Sequence, residues 1–331
     1  MSNDLSKLLL SWYDKNGRIL PWRVKGGAHP DPYVILVSEI MLQQTTVKTV
    51  IPYFQRFMER FPTVQNLAVA PLEEVYLYWQ GLGYYTRARS LHTTANIIVN
   101  QFGGQFPQTK SDLLKLKGLG RYTIASFLSL AFNQQETVID GNVIRIICRL
   151  YNLTDSIDDI TCLIREKAES LTDRQHPADY ASAIMDLGAC ICTPKKPQCQ
   201  LCPWQNFCLA KGSKNLENIP LRKKTDKKEK NGFVYLISND QNEILIRKRT
   251  EKGLLAGLYE FPWSEDKLFA DAEDTGLKVS HVFTHIKLTL HIYQLRDNNI
   301  FRNGRFVSAT ELSAYPFSTL MKKVLQKFSA R

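Results

Sequence analysis

From Leu116 to Val143 the chain reads LKGLGRYTIASFLSLAFNQQETVIDGNV, and two glycines one residue apart at the mouth of an apolar run leave few folds open. The turn Gly118-Leu119-Gly120 predicts a tight hairpin in which glycine takes positive φ and the following helix presents unpaired N–H groups to an anion such as phosphate. A hairpin of that kind grips a backbone and reads no sequence. Asp140 follows Gly120 by twenty residues and stands at the entrance of a second helix, where Val143, Ile146, Ile147, Leu150 and Tyr151 recur with helical spacing. Asp140 reads as an N-cap, and equally as a fixed anion placed where positive charge develops, since a helix start favours a carboxylate.

A second carboxylate is out of place. Asp31-Pro32 opens a helix, and in Tyr33-Val-Ile-Leu-Val-Ser-Glu-Ile-Met-Leu-Gln-Gln the residue Glu39 has Ile35 and Leu36 one turn before it and Leu42 one turn after it. Glutamate is rarely buried unless paired or functional, and desolvation should raise its pKa toward neutrality. That is the setting of a general acid, and beside an anionic Asp140 the two carboxylates would divide into a proton donor and a permanent charge.

Cys192, Cys199, Cys202 and Cys208 are spaced C-x6-C-x2-C-x5-C. The chain shows no signal peptide and no apolar membrane span, so a cytoplasmic location (nucleoid-associated in a bacterium) is expected, where thiols stay reduced and metal is favoured over disulfides. Spacing alone leaves zinc and a [4Fe–4S] cluster both open. Cys148 and Cys162 read as core or incidental thiols, and Cys190 lies too near Cys192 for a further ligand. With 331 residues, 44% of them hydrophobic, the chain suits two domains. Its 43 basic against 32 acidic residues, net +11, suit a polyanionic partner, although only the hairpin gives that charge a meaning.

Helical stripes run through residue 190, beginning with Leu5, Leu8, Leu9, Trp12 and Tyr13. Gly212 to Gly232 is charge-dense and reads as a flexible connector, with Arg222, Lys223, Lys224, Lys227 and Lys228 as secondary phosphate contacts. Beyond it, Phe233–Ile237, a turn at Ser238–Asn242 and Glu243–Arg247 predict a β-hairpin, and His281 to Tyr293 another strand region.

On these motifs the whole chain resembles the helix-hairpin-helix DNA glycosylases, and within them the A/G-specific adenine glycosylases of the MutY family. The resemblance implies a mainly α helix-hairpin-helix glycosylase fold with an iron–sulfur loop, plus a C-terminal α/β Nudix-like domain. The expected boundaries are 1–212 for the helical domain (hairpin at about 114–130, loop at 192–208), 213–230 for a basic linker and 231–331 for the Nudix-like domain. It implies a [4Fe–4S] cluster on Cys192, Cys199, Cys202 and Cys208, with Lys195, Lys196 and Lys211 placed to meet phosphate. The partner implied is duplex DNA carrying adenine opposite 8-oxoguanine or guanine, bound by a monomer without membrane involvement.

Roles follow by position. Glu39 would protonate adenine at N7, Asp140 would stabilise or capture the sugar cation, and Asn142 would help fix that geometry or serve only as helix-start chemistry. Tyr122 occupies the hairpin position where bifunctional relatives carry a Schiff-base lysine, so a monofunctional glycosylase is expected. Trp22 and Arg23 match residues lining the adenine pocket, just before an insertion at Gly26–Pro30, and Ser182 stands where a longer polar residue is common. Gln44 and Tyr84, the latter after a second turn Gly81-Leu-Gly83, match residues that enter the duplex when a base is flipped out; for Tyr84 and Tyr85 core packing competes. Gly118 and Gly120 would hold phosphate. The carboxy-terminal region has Gly257-Leu-Tyr-Glu-Phe-Pro but no glutamate-bearing Mg²⁺ helix after it, so it should bind rather than hydrolyse. There Phe283, Thr284 and His285 match the loop that reads 8-oxoguanine, with threonine in place of the commoner serine. The competing functions are a mismatch thymine glycosylase of the same fold, which the carboxy-terminal domain argues against, and a non-catalytic iron–sulfur DNA-binding protein.

Overall fold

The structure, a computed structural model, describes residues 2–24, 30–221, 227–251, 253–299, 301 and 303–330. The first two thirds of the chain are helical: α1 (Ser2–Asn16), α2 (Pro32–Leu42), α3 (Val47–Arg60), α4 (Val64–Val69), α5 (Leu72–Trp79), α6 (Thr86–Phe102), α7 (Lys110–Leu113), α8 (Arg121–Phe132), α9 (Gly141–Leu150), α10 (Thr161–Leu171) and α11 (Pro177–Asp186). A π-helical turn, Leu187–Ile191, continues α11. Strands come next: β1 (Lys228–Ser238), β2 (Ile244–Lys248), β3 (Tyr259–Glu260), β4 (Trp263–Ser264), β5 (Glu273–Val282), β6 (Ile286–Arg296) and β7 (Gly304–Val307), then α12 (Thr319–Ser329). Among the described residues no helix is long and apolar enough to cross a membrane.

Two compact units form. One contains Met1–Ala68 and Thr93–Lys224, the other Val69–His92 and Thr225–Arg331. In the first unit, α2 starts where Asp31 Oδ1 accepts the Tyr33 N–H at 2.7 Å, with Pro32 in the first turn. Nearly every side chain from Tyr33 to Met41 is buried, Glu39 among them. α9 is amphipathic as its spacing predicts: Val143, Ile146, Ile147 and Leu150 pack into a core with Leu5, Leu9, Ile164, Leu187 and Trp204, while Tyr151 is half-buried. Leu8, expected in the α1 stripe, is 40% exposed, because Leu5 and Leu9 already fill the inward line of that helix. Cys148 is a core residue and Cys162 is exposed.

The stretch read as a connector is anchored rather than free at its start. Ile219 is buried, its carbonyl accepts the Arg149 Nε–H at 3.0 Å, and Leu216 packs on the same core. Two apolar residues among the charges suffice to hold it. The strand after it begins at Lys228, five residues before the expected Phe233. Arg222, Lys223 and Lys224, and residues 26–29 of the insertion, lie outside the described residues.

In the second unit the sheet runs β3-β2-β1-β6-β5, with β4 pairing β1 and β7 pairing β2. β1 and β2 form the expected hairpin, closed by Asn239, whose Oδ1 accepts the N–H groups of Gln241 and Glu243. The region His281 to Tyr293 is not one strand: β5 and β6 are antiparallel, and Phe283-Thr284-His285 form the turn between them. The Phe283 N–H to Ile286 carbonyl bond, 2.7 Å, closes that turn. Residues 69–92, expected with the helical domain, cluster with the sheet unit instead. Hydrogen bonds explain it: Gln80 Nε2 and the Tyr85 hydroxyl donate to the Phe317 carbonyl, Arg89 Nη2 donates to the Ala256 carbonyl at 2.6 Å, and Lys248 pairs with Glu73.

Candidate active site

A cavity of about 1280 Å³ in the first unit brings together the ends of α2, α8, α9 and α11. Trp22, Arg23, Glu39, Gln44, Gly118, Gly120, Tyr122, Asp140, Asn142 and Ser182, all singled out in the sequence, line it.

Glu39 is 6% exposed, and burial pushes its carboxyl pKa up to about 7. Ser126 draws it back down, the charge of Asp140 pushes it up again, and Arg23 lowers it. The Ser126 hydroxyl is close enough to act on Glu39 yet outside hydrogen-bonding geometry. A carboxyl poised near neutrality can both give and take a proton under ordinary conditions.

Asp140 caps α9. Its Oδ1 accepts the N–H groups of Asn142 (2.8 Å) and Val143 (2.7 Å), and its Oδ2 accepts Asn142 Nδ2 at 2.8 Å. The N-cap reading holds, and the same side chain faces the cavity that Glu39 also lines. Asn142 is held in turn by Arg145, whose Nη2 donates to Asn142 Oδ1 (2.9 Å) and to the Gly188 carbonyl (2.7 Å) and whose Nε donates to the Cys192 carbonyl (2.7 Å). Tyr122 lines the same cavity, and its hydroxyl donates to the Met185 sulfur at 3.7 Å. Burial, then the charges of Glu39 and Asp140, raise its pKa well above the ordinary phenol value, so it is a neutral phenol.

The floor is rigid. Trp22 is buried and packs edge-on against Phe54 at 5.2 Å. Arg23 makes a two-bond pair with Asp186 at 2.8 and 2.9 Å, and Arg18 holds the same carboxylate. Burial alone would raise the Asp186 pKa, but hydrogen bonds and charge from Arg23 and Arg18 hold it below the carboxylate range. Arg18, Asp186, Ser126 and Arg145 were missed in the sequence. The signal that found Glu39, a carboxylate on an apolar helix, would have found Asp186 as well.

Of the hairpin glycines only Gly118 has positive φ, +80°; Gly120 is extended at −81° and caps α8, contrary to the expectation for both. A capping residue needs extended backbone, and no heavy atom lies within 4 Å of where a Gly120 β-carbon would stand. Gln43 Nε2 holds the hairpin through the Gly118 carbonyl and the Thr123 hydroxyl, both at 3.2 Å. Gln44 is exposed with φ +56°, and Ser182 is buried at the wall.

In the second unit Tyr84, φ +49° and 45% exposed, is not a core residue, whereas Tyr85 is. The Arg87 guanidinium lies 5.1 Å from the Tyr84 ring centre. The exposed Thr284 hydroxyl donates to the Tyr84 hydroxyl at 3.2 Å, and Phe283 packs on His281 while His285 is exposed.

Cys192, Cys199, Cys202 and Cys208 converge on one small cavity with Arg149, Ile191, Pro197 and Leu216. Four thiols that converge on one mostly apolar wall suit a metal centre held by cysteines. Burial pushes the Cys202 pKa up to about 12 and raises that of Cys208, so metal charge is what would turn these two thiols into thiolates.

Residues 37–171 match the family model of the HhH-GPD superfamily base excision DNA repair proteins, 192–208 the iron–sulfur binding domain of endonuclease III, and 233–327 a NUDIX domain. The loop is an iron–sulfur loop, and its cofactor is a [4Fe–4S] cluster. The adenine DNA glycosylase of Rattus norvegicus is 35% identical, covering 97% of this chain and 77% of its own length. That of Buchnera aphidicola subsp. Schizaphis graminum is 37% identical (90% and 89%), and that of Homo sapiens 33% (98% and 73%). Among solved structures, a thermostable thymine-DNA glycosylase superposes with TM-score 0.56 at 29% identity, covering 63% of this chain and 95% of its own. An endonuclease III–DNA complex superposes at 0.52 with 21% identity, covering 63% and 96%, a likeness of fold. On sequence kinship across nearly its full length, the chain belongs to the adenine DNA glycosylases of the HhH-GPD superfamily.

Proposed function

We propose that this protein hydrolyses the N-glycosidic bond of adenine mispaired with 8-oxoguanine or guanine in duplex DNA. The observation that carries the reading is a buried Glu39, pKa about 7, beside the capped Asp140 in one cavity. The flipped adenine enters that cavity, because no base inside a duplex can reach it. Glu39 gives its proton to N7, the C1′–N9 bond breaks with its electron pair leaving on the base, and the sugar is left as an oxocarbenium ion. Asp140 stabilises that cation or closes on it as a transient ester. Glu39, now a carboxylate, takes a proton from the water that attacks C1′, and an abasic site results.

Tyr122 has no amine, so no Schiff base forms and the strand stays intact. Gly118, Gly120 and the first N–H groups of α8 receive a phosphate, and Gln44 and Tyr84 enter the duplex where the base leaves. Thr284, between Phe283 and His285, reads the base opposite. Cys192, Cys199, Cys202 and Cys208 ligate the cluster, which gives the loop its shape when bound and takes no part in bond breaking. The enzyme acts as a monomer.

Single-turnover cleavage of labelled duplexes with adenine opposite 8-oxoguanine, guanine or thymine tests this. Alkali-dependent cleavage opposite the first two and not the third is expected. Cleavage without alkali would overturn the monofunctional reading, and no cleavage despite a loaded cluster and tight DNA binding would leave a binding protein.

A further inference from the structure

Gly188 is the second residue of the π-helical turn Leu187–Ile191 that leads from α11 to Cys192. Its backbone does not require glycine, since its φ lies outside the left-handed region. What requires it is a close approach: a β-carbon on Gly188 would stand 2.6 Å from Asn142 Cβ, 3.3 Å from Asn142 Cγ and 3.3 Å from Ile146 Cδ1. No flexible tip could swing away from the first of these contacts, because Asn142 Cβ is fixed by the backbone of α9. π-turns inside helices commonly mark functional sites, since the extra residue widens the turn and re-aims the groups around it.

Asn142 is the residue that meets both oxygens of Asp140, through its backbone N–H and through Nδ2. Its own Oδ1 is held by Arg145 Nη2, which also grips the Gly188 carbonyl. The carbonyl of Gly188 and the empty side of its Cα therefore act on the same asparagine, one by a shared donor and the other by contact. We propose that Gly188 is a positioning residue for excision: by lacking a side chain it lets the π-turn seat Asn142, and Asn142 sets the Asp140 carboxylate against the sugar. This rests on the assignment of Asp140 as the cation-stabilising group.

The test is Gly188→Ala in the cluster-loaded, full-length protein, compared with Asp140→Asn. The added methyl displaces Asn142 and with it Asp140, so single-turnover excision of adenine opposite 8-oxoguanine should fall about 10 to 100-fold, as expected for a misplacement of about 1 Å. Affinity for a duplex carrying a non-cleavable adenosine analogue, and iron content, should hold within about threefold. A merely structural defect would not move the pH profile. The charged and titratable groups acting on Glu39 are Asp140, Arg23 and Tyr122, and the Asp140 charge is one that raises its pKa. Moving Asp140 away should shift the alkaline limb of the profile to lower pH.

Asn142→Gly removes the backbone-fixed atom that clashes and the side-chain amide that holds Asp140, and leaves only the tip of Ile146 at 3.3 Å, so adding Gly188→Ala to it should cost far less than Gly188→Ala costs alone. If Gly188→Ala alone fails to load its cluster, recovery of loading in the double variant supports the contact and failure there overturns it. A wild-type rate and pH profile in Gly188→Ala, or losses that multiply in the double variant, overturn the proposal while leaving the functional reading intact if Asp140→Asn is slow. A wild-type rate in Asp140→Asn strikes the functional reading itself.

Discussion

The Glu39–Asp140 cavity and the β5–β6 turn are built on opposite physical terms. Around the cavity, charge is tied or buried: half-buried Asp140 accepts three N–H bonds, Asp186 holds two arginines, and Glu39 sits in an apolar helix at a cost in solvation. At the turn, Thr284 and His285 are exposed, and Thr284 has one hydrogen bond to a neighbouring hydroxyl. A group that must stabilise charge for the duration of a reaction gains from being held in place beforehand, in a setting of low dielectric. A group that must test many base pairs gains from being accessible, and a single hydroxyl contact is worth only about 0.5–1.5 kcal/mol. Perturbing the cavity should therefore change rates by orders of magnitude, and perturbing the turn should change selectivity by small factors.

The largest effect should come from Glu39→Gln, which keeps the shape and removes the proton. Excision should fall by about 10⁴-fold, the upper range for a lost general acid, with duplex affinity within a few fold. A residual rate above a tenth of wild type would remove the contrast between the two regions. The same carboxyl sets a pH limit. In the proposed mechanism its protonated form is the donor, so the rate should decline about tenfold per unit as pH rises above about 7.

Stability should move in the opposite sense to activity. Because the folded-state pKa of Glu39 is raised from 4.5 to about 7, the stability linked to its protonation is fully present below about pH 4.5 and is lost as pH rises through 7. Glu39→Gln escapes that loss. Between pH 4 and pH 8 the variant should gain roughly 3 kcal/mol over wild type in urea unfolding, read as a shift of midpoint at unchanged slope. An unchanged gap would mean that Glu39 is hydrated in solution. A smaller effect is expected at the hairpin: Gly118→Ala must place a β-carbon at φ +80°, a strain of about 1–2 kcal/mol, and should weaken DNA binding with little change in the rate at saturation.

How far the sequence reaches is clearest at its two Gly-Leu-Gly turns. Gly81-Leu82-Gly83 and Gly118-Leu119-Gly120 are the same tripeptide, and both bury the leucine. The first has positive φ at both glycines and leaves Tyr84 exposed in a left-handed backbone; the second has positive φ at Gly118 only and ends as a helix cap. The tripeptide cannot distinguish them, because the residues after the second glycine decide whether it caps. Periodicity did locate Glu39, since one carboxylate among apolar neighbours is a local pattern, and it located the Asp140 cap for the same reason. Asp186 with its two arginines, and the Arg145 bonds to Gly188 and Cys192, join residues about 45 to 170 apart in sequence, and no short window of the chain contains both partners. The clustering of residues 69–92 with the sheet unit was hidden likewise, because its bonds run to Ala256 and Phe317.

The smallest predicted effect is the most exacting about the turn. Thr284 keeps a hydroxyl and adds a methyl, and that hydroxyl meets Tyr84 across two hundred residues of sequence. Thr284→Val retains the branched shape and deletes only the hydroxyl. Excision of adenine opposite 8-oxoguanine should slow by about 3 to 10-fold, the equivalent of one hydrogen bond, while excision opposite guanine should hardly change. Tyr84→Phe should cost part of the same contact, and the two losses combined should be less than their product, since both remove one bond. If Thr284→Val slows both substrates equally, the turn acts on binding in general and does not read the opposite base. If the two losses multiply in full, the hydroxyls work separately, and the turn is less constrained than even its single internal bond suggests.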